Sequence, residues 1–176
     1  MNVRAATQLD REAIYSVHWA AFAEDERELV SKLAVDLLLG ETSPKTISLV
    51  ADLEGVVVGH VAFSPVSIEG DESFRGFILG PLGVMPDYQN CGIGTKLIER
   101  GIQLVSSLRA DVLFVYGDPK YYGKFDFSTD AAECYVPPSQ LQYPFGWQAI
   151  ALNDNEVRTI PANLVVVTAL NNPELW

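Results

Sequence analysis

The passage between residues 75 and 108 constrains the fold of this chain more than any other. Apolar residues predict a strand over 75–84, although the run Gly80-Pro81-Leu82-Gly83 weakens its pairing because proline has no N–H to donate. Apolar side chains recur at helical spacing over 95–108 and predict a helix with one buried side. A strand that leads through small residues into a helix favours a protein of the α/β class.

The flanking segments predict further strands and helices around this passage. Alternating or continuous apolar residues predict strands, whereas apolar residues at i, i+3 and i+4 predict helices. Strands are expected at Asn2–Ala5, 46–53, Val56–Ile68, Val112–Tyr116 and 148–152. Helices are expected over 14–22, from 24 to Gly40 and, briefly, at 121–124. The type of 164–170 is left open. This order describes a mixed sheet with helices on both faces.

The net charge of −11 over 176 residues limits the kinds of partner that the protein can bind. Residues 1–79 hold 6 basic and 13 acidic side chains, residues 80–127 hold 5 of each, and residues 128–176 hold 1 and 5. An acidic surface repels nucleic-acid phosphates and attracts small cations, so no nucleic acid is expected as a main partner. An anionic ligand meets the weakest opposing field in the neutral middle third, and we expect the chemistry there.

Cysteines, histidines and apolar runs exclude several further classes of protein. Cys91 and Cys134 do not make a disulfide framework and fit the reducing cytoplasm, where we expect the protein. The two histidines give no metal-ligand spacing, so no metal is expected. The longest apolar runs, 19–23 and Val112–Tyr116, have five residues, against the roughly 20 of a membrane span. We therefore expect neither a membrane span nor a signal peptide.

The residues between the central strand and its helix predict a cradle for an anion. The run at 89–95 (Gln-Asn-Cys-Gly-Ile-Gly-Thr) is rich in small residues, which lets successive backbone N–H groups turn inward. The helix that follows adds its own unpaired N–H groups and positive dipole end. Asn90 can adopt a left-handed conformation where a second glycine would otherwise be needed. Such a cradle needs no lysine, which suits an acidic protein.

Two better-known phosphate loops do not fit this run. Gly94-Thr95-Lys96 has the wrong order for a P-loop, and Leu97 stands where a dinucleotide fingerprint needs a third glycine. On the glycines alone, a plain turn from strand to helix is an equally good interpretation.

The longer pattern Val-x-Pro-x-x-Gln-x-x-Gly-x-Gly, from Val84 to Gly94, resembles motif A of the GNAT superfamily of N-acetyltransferases. Residues 3–22 resemble the family's opening strand and helix. Residues 115–127 resemble the strand, short helix and Phe-Gly-Phe-like ending that follow motif A, in a branch of predicted bacterial acetyltransferases with Gly-Asp-Pro-x-Tyr-Tyr-Gly. The resemblance covers about residues 2–130.

The resemblance implies a mixed, mostly antiparallel sheet with one strand splayed from its neighbour, where acetyl-CoA binds. The matching strand is 78–84, and its Gly80-Pro81 break is a physical reason for a splay or bulge. Backbone groups of Leu82 and Val84 would pair with the pantetheine amides and polarise the thioester carbonyl, while N–H groups of 89–95 hold the pyrophosphate. The implied cofactor-binding residues are Leu82, Gly83, Val84, Gln89, Asn90, Cys91, Gly92, Ile93, Gly94 and Thr95.

Two positions depart from the family pattern. Cys91 stands where the family usually has Arg or Lys, which removes one positive charge near the pyrophosphate. Asp126 replaces the usual glycine of the Phe-Gly-Phe ending and is expected to reshape a turn. Neither change disables a loop in which the backbone does most of the holding.

The resemblance also implies direct transfer of the acetyl group to an amine, with a tyrosine that protonates the departing thiolate. Counting back from Asp126 and Phe127 places this acid at Tyr122, with Tyr121 as the adjacent alternative. The competing interpretation is that both tyrosines are packing residues, because aromatic pairs are common in cores.

The general base and the acceptor site are not identified by the sequence. His18, on the apolar face of its helix, and His60, within a strand, are interpreted as core histidines. The carboxylates at 24–28 can attract an amine, although a solvated helix start is the favoured interpretation. The aromatic and proline residues at 135–138 and 143–147 either wall an acceptor pocket or cover the sheet edge.

The sequence therefore predicts an acetyl-CoA-dependent N-acetyltransferase for an amine of a small molecule or peptide, as a monomer or a homodimer. One domain, 1–176, is expected, with a motif-bearing core at about 2–130 and a remainder, 131–176, that completes the sheet and the acceptor side. Two alternatives stay open: a non-catalytic CoA-binding or sensing module, and a transferase for a longer acyl chain.

Overall fold

The computed structural model describes residues 1–153 and 158–176. Within these ranges the strands are β1 (Asn2–Ala5), β2 (Ile47–Leu53), β3 (Val56–Ile68), β4 (Asp71–Val84), β5 (Val112–Tyr116), β6 (Tyr135–Val136), β7 (Trp147–Ala151) and β8 (Ala162–Val166). The helices are α1 (Arg11–Ala21), α2 (Arg27–Leu39), α3 (Ile93–Ser107) and α4 (Pro119–Tyr122). None of these helices is both long and apolar enough to cross a membrane.

The strands form one mostly antiparallel sheet, as the sequence predicts. Its strand order is β1-β2-β3-β4-β5-β7, and β8 pairs with β3 and β6. The hairpin between β2 and β3 turns at Glu54 and Gly55, whose φ angles are 53° and 88°. Positive φ at both central residues matches the right-handed twist of the flanking strands. β4 and β5 instead run parallel, from Gly76 opposite Val112 to Leu79 opposite Val115.

Several predicted boundaries need correction. α3 begins at Ile93 rather than at 95, which places Gly94 inside its first turn. β4 begins at Asp71, four residues before the expected 75. The untyped segment 164–170 contributes most of β8 and the 3-10 turn Thr168–Leu170. β6 was not predicted, because two residues show no periodicity.

By contacts the described chain divides into two compact units. The first comprises Met1–Phe63 and Gly80–Ile102, and the second comprises Ser64–Leu79 and Gln103–Trp176. The prediction of one domain stays a prediction.

In the first unit, helices cover both faces of the sheet. His60 of β3 contacts His18 of α1. A Cβ on the preceding residue, Gly59, would lie 3.0 Å from Ile93 of α3. Because neighbouring strand residues point to opposite faces, α1 and α3 pack on opposite sides of β3. The fully buried core beneath α1 includes Ile14, Val17, Ala34 and Val50.

In the second unit, aromatic rings fill the core over β5 and β7. Phe114 stacks on Trp147 with ring planes 3° apart and centroids 5.3 Å apart, and Tyr135 meets Phe114 edge-on at 4.9 Å. The Trp147 indole N–H donates to the Tyr135 carbonyl at 2.9 Å, which satisfies the polar end of a buried ring. The stretches at 135–138 and 143–147 thus supply rings to this core.

Candidate active site

The loop between β4 and α3 is exposed and contains two residues in a left-handed conformation. The side chains of Gln89, Asn90 and Cys91 are exposed. Asn90 has a φ of 59° and Gly92 a φ of 77°, so both lie in the left-handed region, as predicted for Asn90. Lys96 N–H donates to the Gly92 carbonyl at 3.1 Å, and the N–H groups before it belong to the open first turn of α3.

Gln89 shapes this loop with both of its N–H groups. Its side-chain amide donates to the Val84 carbonyl at 3.0 Å, and its backbone N–H donates to the Pro86 carbonyl at 3.2 Å. This backbone N–H is thus bound within the loop, and a contribution of Gln89 to a pyrophosphate site stays a prediction. The other residues predicted to offer N–H groups are Asn90, Cys91, Gly92, Ile93, Gly94 and Thr95.

The end of β4 has the irregularity that the sequence predicts. The parallel pairing of β4 with β5 ends at Leu79, one residue before Gly80. Gly80 has a φ of 151°, and its bond to Pro81 is cis. Beyond this point Leu82 and Val84 are half-buried and Gly83 is buried. Val84 carries the carbonyl that binds Gln89, so the strand and the loop are joined directly.

Tyr122 lies in the second unit, on the one-turn helix α4. Asp118 caps this helix by accepting from Lys120 N–H at 2.9 Å. The Tyr122 ring packs on Gly117, where a Cβ would collide with it, and meets Tyr121 edge-on at 5.1 Å. Burial raises the pKa of Tyr122, and the neighbouring Tyr121 raises it further. The phenol therefore keeps its proton at neutral pH, which a proton donor requires.

The segment after α4 explains the second departure from the family pattern. Asp126 has a φ of 67° and a ψ of 12°, a left-handed conformation that glycine adopts without strain. Aspartate is among the non-glycine residues most often found there. The Phe-Asp-Phe sequence thus keeps a glycine-like turn, and the following Phe127 is buried.

The two histidines are core residues, as interpreted from the sequence, and they also contact each other. His18 and His60 are both fully buried, and His18 Nε2 lies 2.8 Å from His60 Nδ1. Burial lowers the pKa of His18 to about 3. Burial, and secondarily His18, lowers the pKa of His60 well below its ordinary value. Both rings are therefore neutral at working pH.

The carboxylates at 24–28 are exposed, as favoured from the sequence, but three of them lie in a turn, since α2 begins at Arg27 rather than at 24. Glu24 is exposed and pairs with Arg27 at 3.4 Å, and Glu28 pairs with Lys32 at 2.8 Å. Arg27 also lies over the Trp19 ring, 4.5 Å from its centroid. Two of the carboxylates are therefore already paired with neighbouring cations.

The second unit also contains an open cavity of about 890 Å³ beside its aromatic core. Its lining includes Tyr135, Pro138, Pro144 and Trp147, from the stretches that the sequence offered as pocket wall or edge cover. These residues line the cavity and pack against β5, and their part in an acceptor site stays a prediction.

Comparison with known families identifies the family of this chain. The model of the acetyltransferase (GNAT) family matches residues 11–123. The chain belongs to the GNAT family. Its members are acyltransferases that use CoA thioesters, and this protein is therefore an acyltransferase. The match spans α1 to α4, so it includes the loop at 89–95 and Tyr122.

Individual GNAT relatives agree with this assignment. The uncharacterized N-acetyltransferase YjhQ of Escherichia coli K12 is 34% identical over 130 residues, which cover 73% of this chain and 70% of that protein. The uncharacterized N-acetyltransferase YhbS of the same strain is 32% identical over 133 residues, which cover 74% and 75%.

Solved GNAT structures share the fold over nearly the whole chain. The crystal structure of E. coli YhbS in complex with CoA has a TM-score of 0.78 and 25% identity, covering 97% of this chain and 92% of that one. A GNAT family acetyltransferase from Brucella melitensis in complex with acetyl-CoA has a TM-score of 0.68 and 28% identity, covering 96% of each.

Proposed function

We propose that the protein transfers an acetyl group from acetyl-CoA to an amine of a small molecule or peptide. The observation that carries this proposal is the exposed loop at 89–95, with left-handed Asn90 and Gly92 before the open first turn of α3. This loop fits a pyrophosphate, because N–H groups at a helix N-terminus bind anions without a cationic side chain. Two structural relatives were solved with CoA or acetyl-CoA, which supports the same ligand here.

Residues of the first unit would hold the donor. The N–H groups of residues 90–95 bind the pyrophosphate, and Gln89 keeps the loop in shape through Val84. Backbone groups of Leu82 and Val84, beyond the point where β4 leaves β5, pair with the pantetheine amides and polarise the thioester carbonyl. When bound, acetyl-CoA supplies the acyl group in an activated form.

Tyr122 would supply the proton for the departing thiolate. A thiol with a pKa of about 8.5 leaves more easily when a positioned acid protonates its sulfur. With its raised pKa, the Tyr122 hydroxyl is protonated and neutral at pH values around 7. Its ring packs against Gly117 and Tyr121, which limits the positions that the hydroxyl oxygen can take.

Binding and catalysis are tested separately. We expect acetyl-CoA to raise the melting temperature, with a Kd that rises only modestly with salt because backbone groups rather than lysines bind the phosphates. Thiol release should then appear only when an amine from a panel of small amines and peptides is added. No thermal shift at millimolar acetyl-CoA would contradict the proposal. A shift without thiol release for any amine would favour the non-catalytic module instead.

The location and assembly of the protein stay predictions. Its cysteine usage still predicts a cytoplasmic protein. The homodimer allowed by the sequence is checked by the mass of the purified protein in solution.

A further inference from the structure

A row of three polar side chains crosses the first unit from β2 to α1. Ser48 of β2 is half-buried, and its Oγ lies 2.8 Å from His60 Nε2. His60 Nδ1 lies 2.8 Å from His18 Nε2, and both histidines are fully buried. The rings meet edge to face, with planes 83° apart. Two directional hydrogen bonds therefore orient the His60 ring, and one of them orients His18 against it.

The inner end of this row is His18 Nδ1. This atom is buried and has no hydrogen-bond partner in the described part of the chain. It faces the backbone of Gly83, because a Cβ built there would lie 2.8 Å from Nδ1 and 3.0 Å from Cε1 of the ring. The His18 ring thus occupies the space that any side chain at position 83 would need.

The proton positions follow from this contact. A hydrogen bond between two ring nitrogens needs a proton on one of them. A proton on His18 Nδ1 would point at the Gly83 methylene and lose all hydrogen bonding, whereas a lone pair can accept a weak Cα–H contact. We therefore assign the His18 proton to Nε2, which donates to His60. His60 Nε2–H then donates to Ser48 Oγ.

We propose that His18 is a positioning residue for acyl transfer, which fixes the β4 backbone at Gly83 and thereby the groups of Leu82 and Val84 on either side. This inference rests on the proposed function, in which those two residues polarise the thioester carbonyl. It adds a residue of α1 that touches neither donor nor acceptor. His18 acts through Gly83, and His60 and Ser48 act through His18.

An apolar side chain at position 18 would fill the same space without fixing this geometry. The contact of Gly83 with an oriented ring leaves the strand little room to shift, because Val17 lies on the same side, 3.3 Å from that Cβ position. Polarising a carbonyl depends on donors held in place before the reaction begins. A misplacement of about 1 Å can cost roughly 100-fold in rate.

The test reads the carbonyl directly and needs no acceptor amine. Acetyl-CoA labelled with carbon-13 at the thioester carbonyl is bound to the whole protein, and isotope-edited infrared spectroscopy measures its C=O stretch. Hydrogen bonds to a carbonyl lower this frequency. We expect the bound stretch to lie below that of free acetyl-CoA in the wild-type protein.

Four variants separate positioning from simple packing. His18→Leu fills most of the ring space but cannot bind His60, so the stretch should move back toward the free value while the Kd changes less than threefold. His18→Gln keeps a donor at the Nε2 position, and the C=O stretch of its bound acetyl-CoA should lie between those of His18→Leu and the wild type. Ser48→Ala removes only the outer hydrogen bond and should give a smaller change in the same direction. Ser16→Ala, which removes an exposed hydroxyl of α1 bound to Glu12, should match the wild type.

The outcomes distinguish this inference from the proposed function. If the wild-type protein does not bind acetyl-CoA, the proposed function fails and this inference fails with it. If acetyl-CoA binds and folded His18→Leu keeps the wild-type stretch, the inference alone is overturned. If His18→Leu does not fold, His18→Gln and Ser48→Ala decide in the same way. With an active amine in hand, we expect kcat of His18→Leu to fall by roughly 10- to 100-fold at nearly unchanged KM.

Discussion

Residues 90–92 of the loop are exposed and offer backbone N–H groups, whereas Tyr121 and Tyr122 of α4 are packed among other rings and offer side chains. The loop depends on the φ angles of Asn90 and Gly92. The proposed acid on α4 depends on the packing of the Tyr122 ring against Gly117. A site built from backbone should be sensitive to conformation and indifferent to charge, while a site built from one hydroxyl should be sensitive to a single oxygen. Four predictions test this contrast, from the largest expected effect to the smallest.

Tyr122→Phe should give the largest effect, because it deletes the hydroxyl and leaves the ring packing intact. We expect kcat to fall by roughly 10²–10⁴-fold, the usual range for general acid catalysis, with little change in the KM for acetyl-CoA. Steady-state kinetics with a saturating amine measure both constants. Tyr121→Phe is the matched control and should retain most activity. If Tyr121→Phe loses activity and Tyr122→Phe keeps it, the catalytic acid is Tyr121. If both variants stay active, the two tyrosines only contribute to packing.

Gly92→Val should abolish binding through the loop conformation. Nothing lies within 4 Å of a Cβ at Gly92, so the variant is strained by its φ of 77° rather than by a clash within the protein. Valine disfavours this φ by about 1–2 kcal/mol, and losing one or two N–H bonds to a charged phosphate costs about 3 kcal/mol more. We expect the Kd for acetyl-CoA to rise by about 100-fold or more, as measured by calorimetry.

Gly55→Val is the matched control for this variant. Gly55 has a φ of 88° and equally open space, but it belongs to the hairpin between β2 and β3. It should lose similar stability and keep its affinity for acetyl-CoA. Equal losses of affinity in the two variants would mean that general destabilisation, and not the loop, explains the result.

Acid should destabilise the first unit through its buried histidines, whereas the loop at 89–95 contains no histidine. The folded pKa of His18 is about 3, below the unfolded value of 6.5, so its contribution is complete above pH 6.5 and is lost as the pH falls toward 3. At pH 5 we expect about 2 kcal/mol less stability than at pH 7 from this residue. Urea unfolding at both values measures the difference.

His18→Leu should reduce this dependence between pH 5 and 6.5 without abolishing it, because the pKa of buried His60 is also lowered and that residue still contributes. The salt bridge of Asp10 with Arg4 holds the pKa of Asp10 well below its usual range, so that carboxylate is lost only at more acid pH. An unchanged slope in the variant would show that His18 does not titrate as its burial requires.

Cys91→Arg should give the smallest effect and sharpen the contrast by adding a charge to a neutral loop. Cys91 is exposed, and an exposed ion pair contributes about 0.2–1 kcal/mol. We expect the Kd for acetyl-CoA to fall by at most about fivefold at low salt, with the gain lost at high salt. Cys91→Gln, of similar polarity without charge, should bind as the wild type does. A gain that survives high salt would mean that arginine adds more than charge.

The two halves of the proposed site were predictable to different degrees. The loop was found because strand, small residues and helix are adjacent in the sequence, and the left-handed Asn90 followed from residue type. The bond from the backbone N–H of Gln89 to Pro86 was not predicted, because it depends on a 3-10 turn that the sequence does not mark. Tyr122 was proposed by position relative to Phe127, and only the structure shows its ring packed on Gly117 and Tyr121.

The sequence by itself determined most strands and helices up to β5 and where the loop between β4 and α3 lies, because periodicity and turn chemistry act between residues close along the chain. Only the tertiary structure decided that His18 and His60, 42 residues apart, share a hydrogen bond and end on Gly83. Each histidine alone looked like an ordinary core residue. Contacts between distant segments follow from the packing of α1 on β3 and β4, which depends on the side chains of several elements at once and leaves no mark in any local pattern.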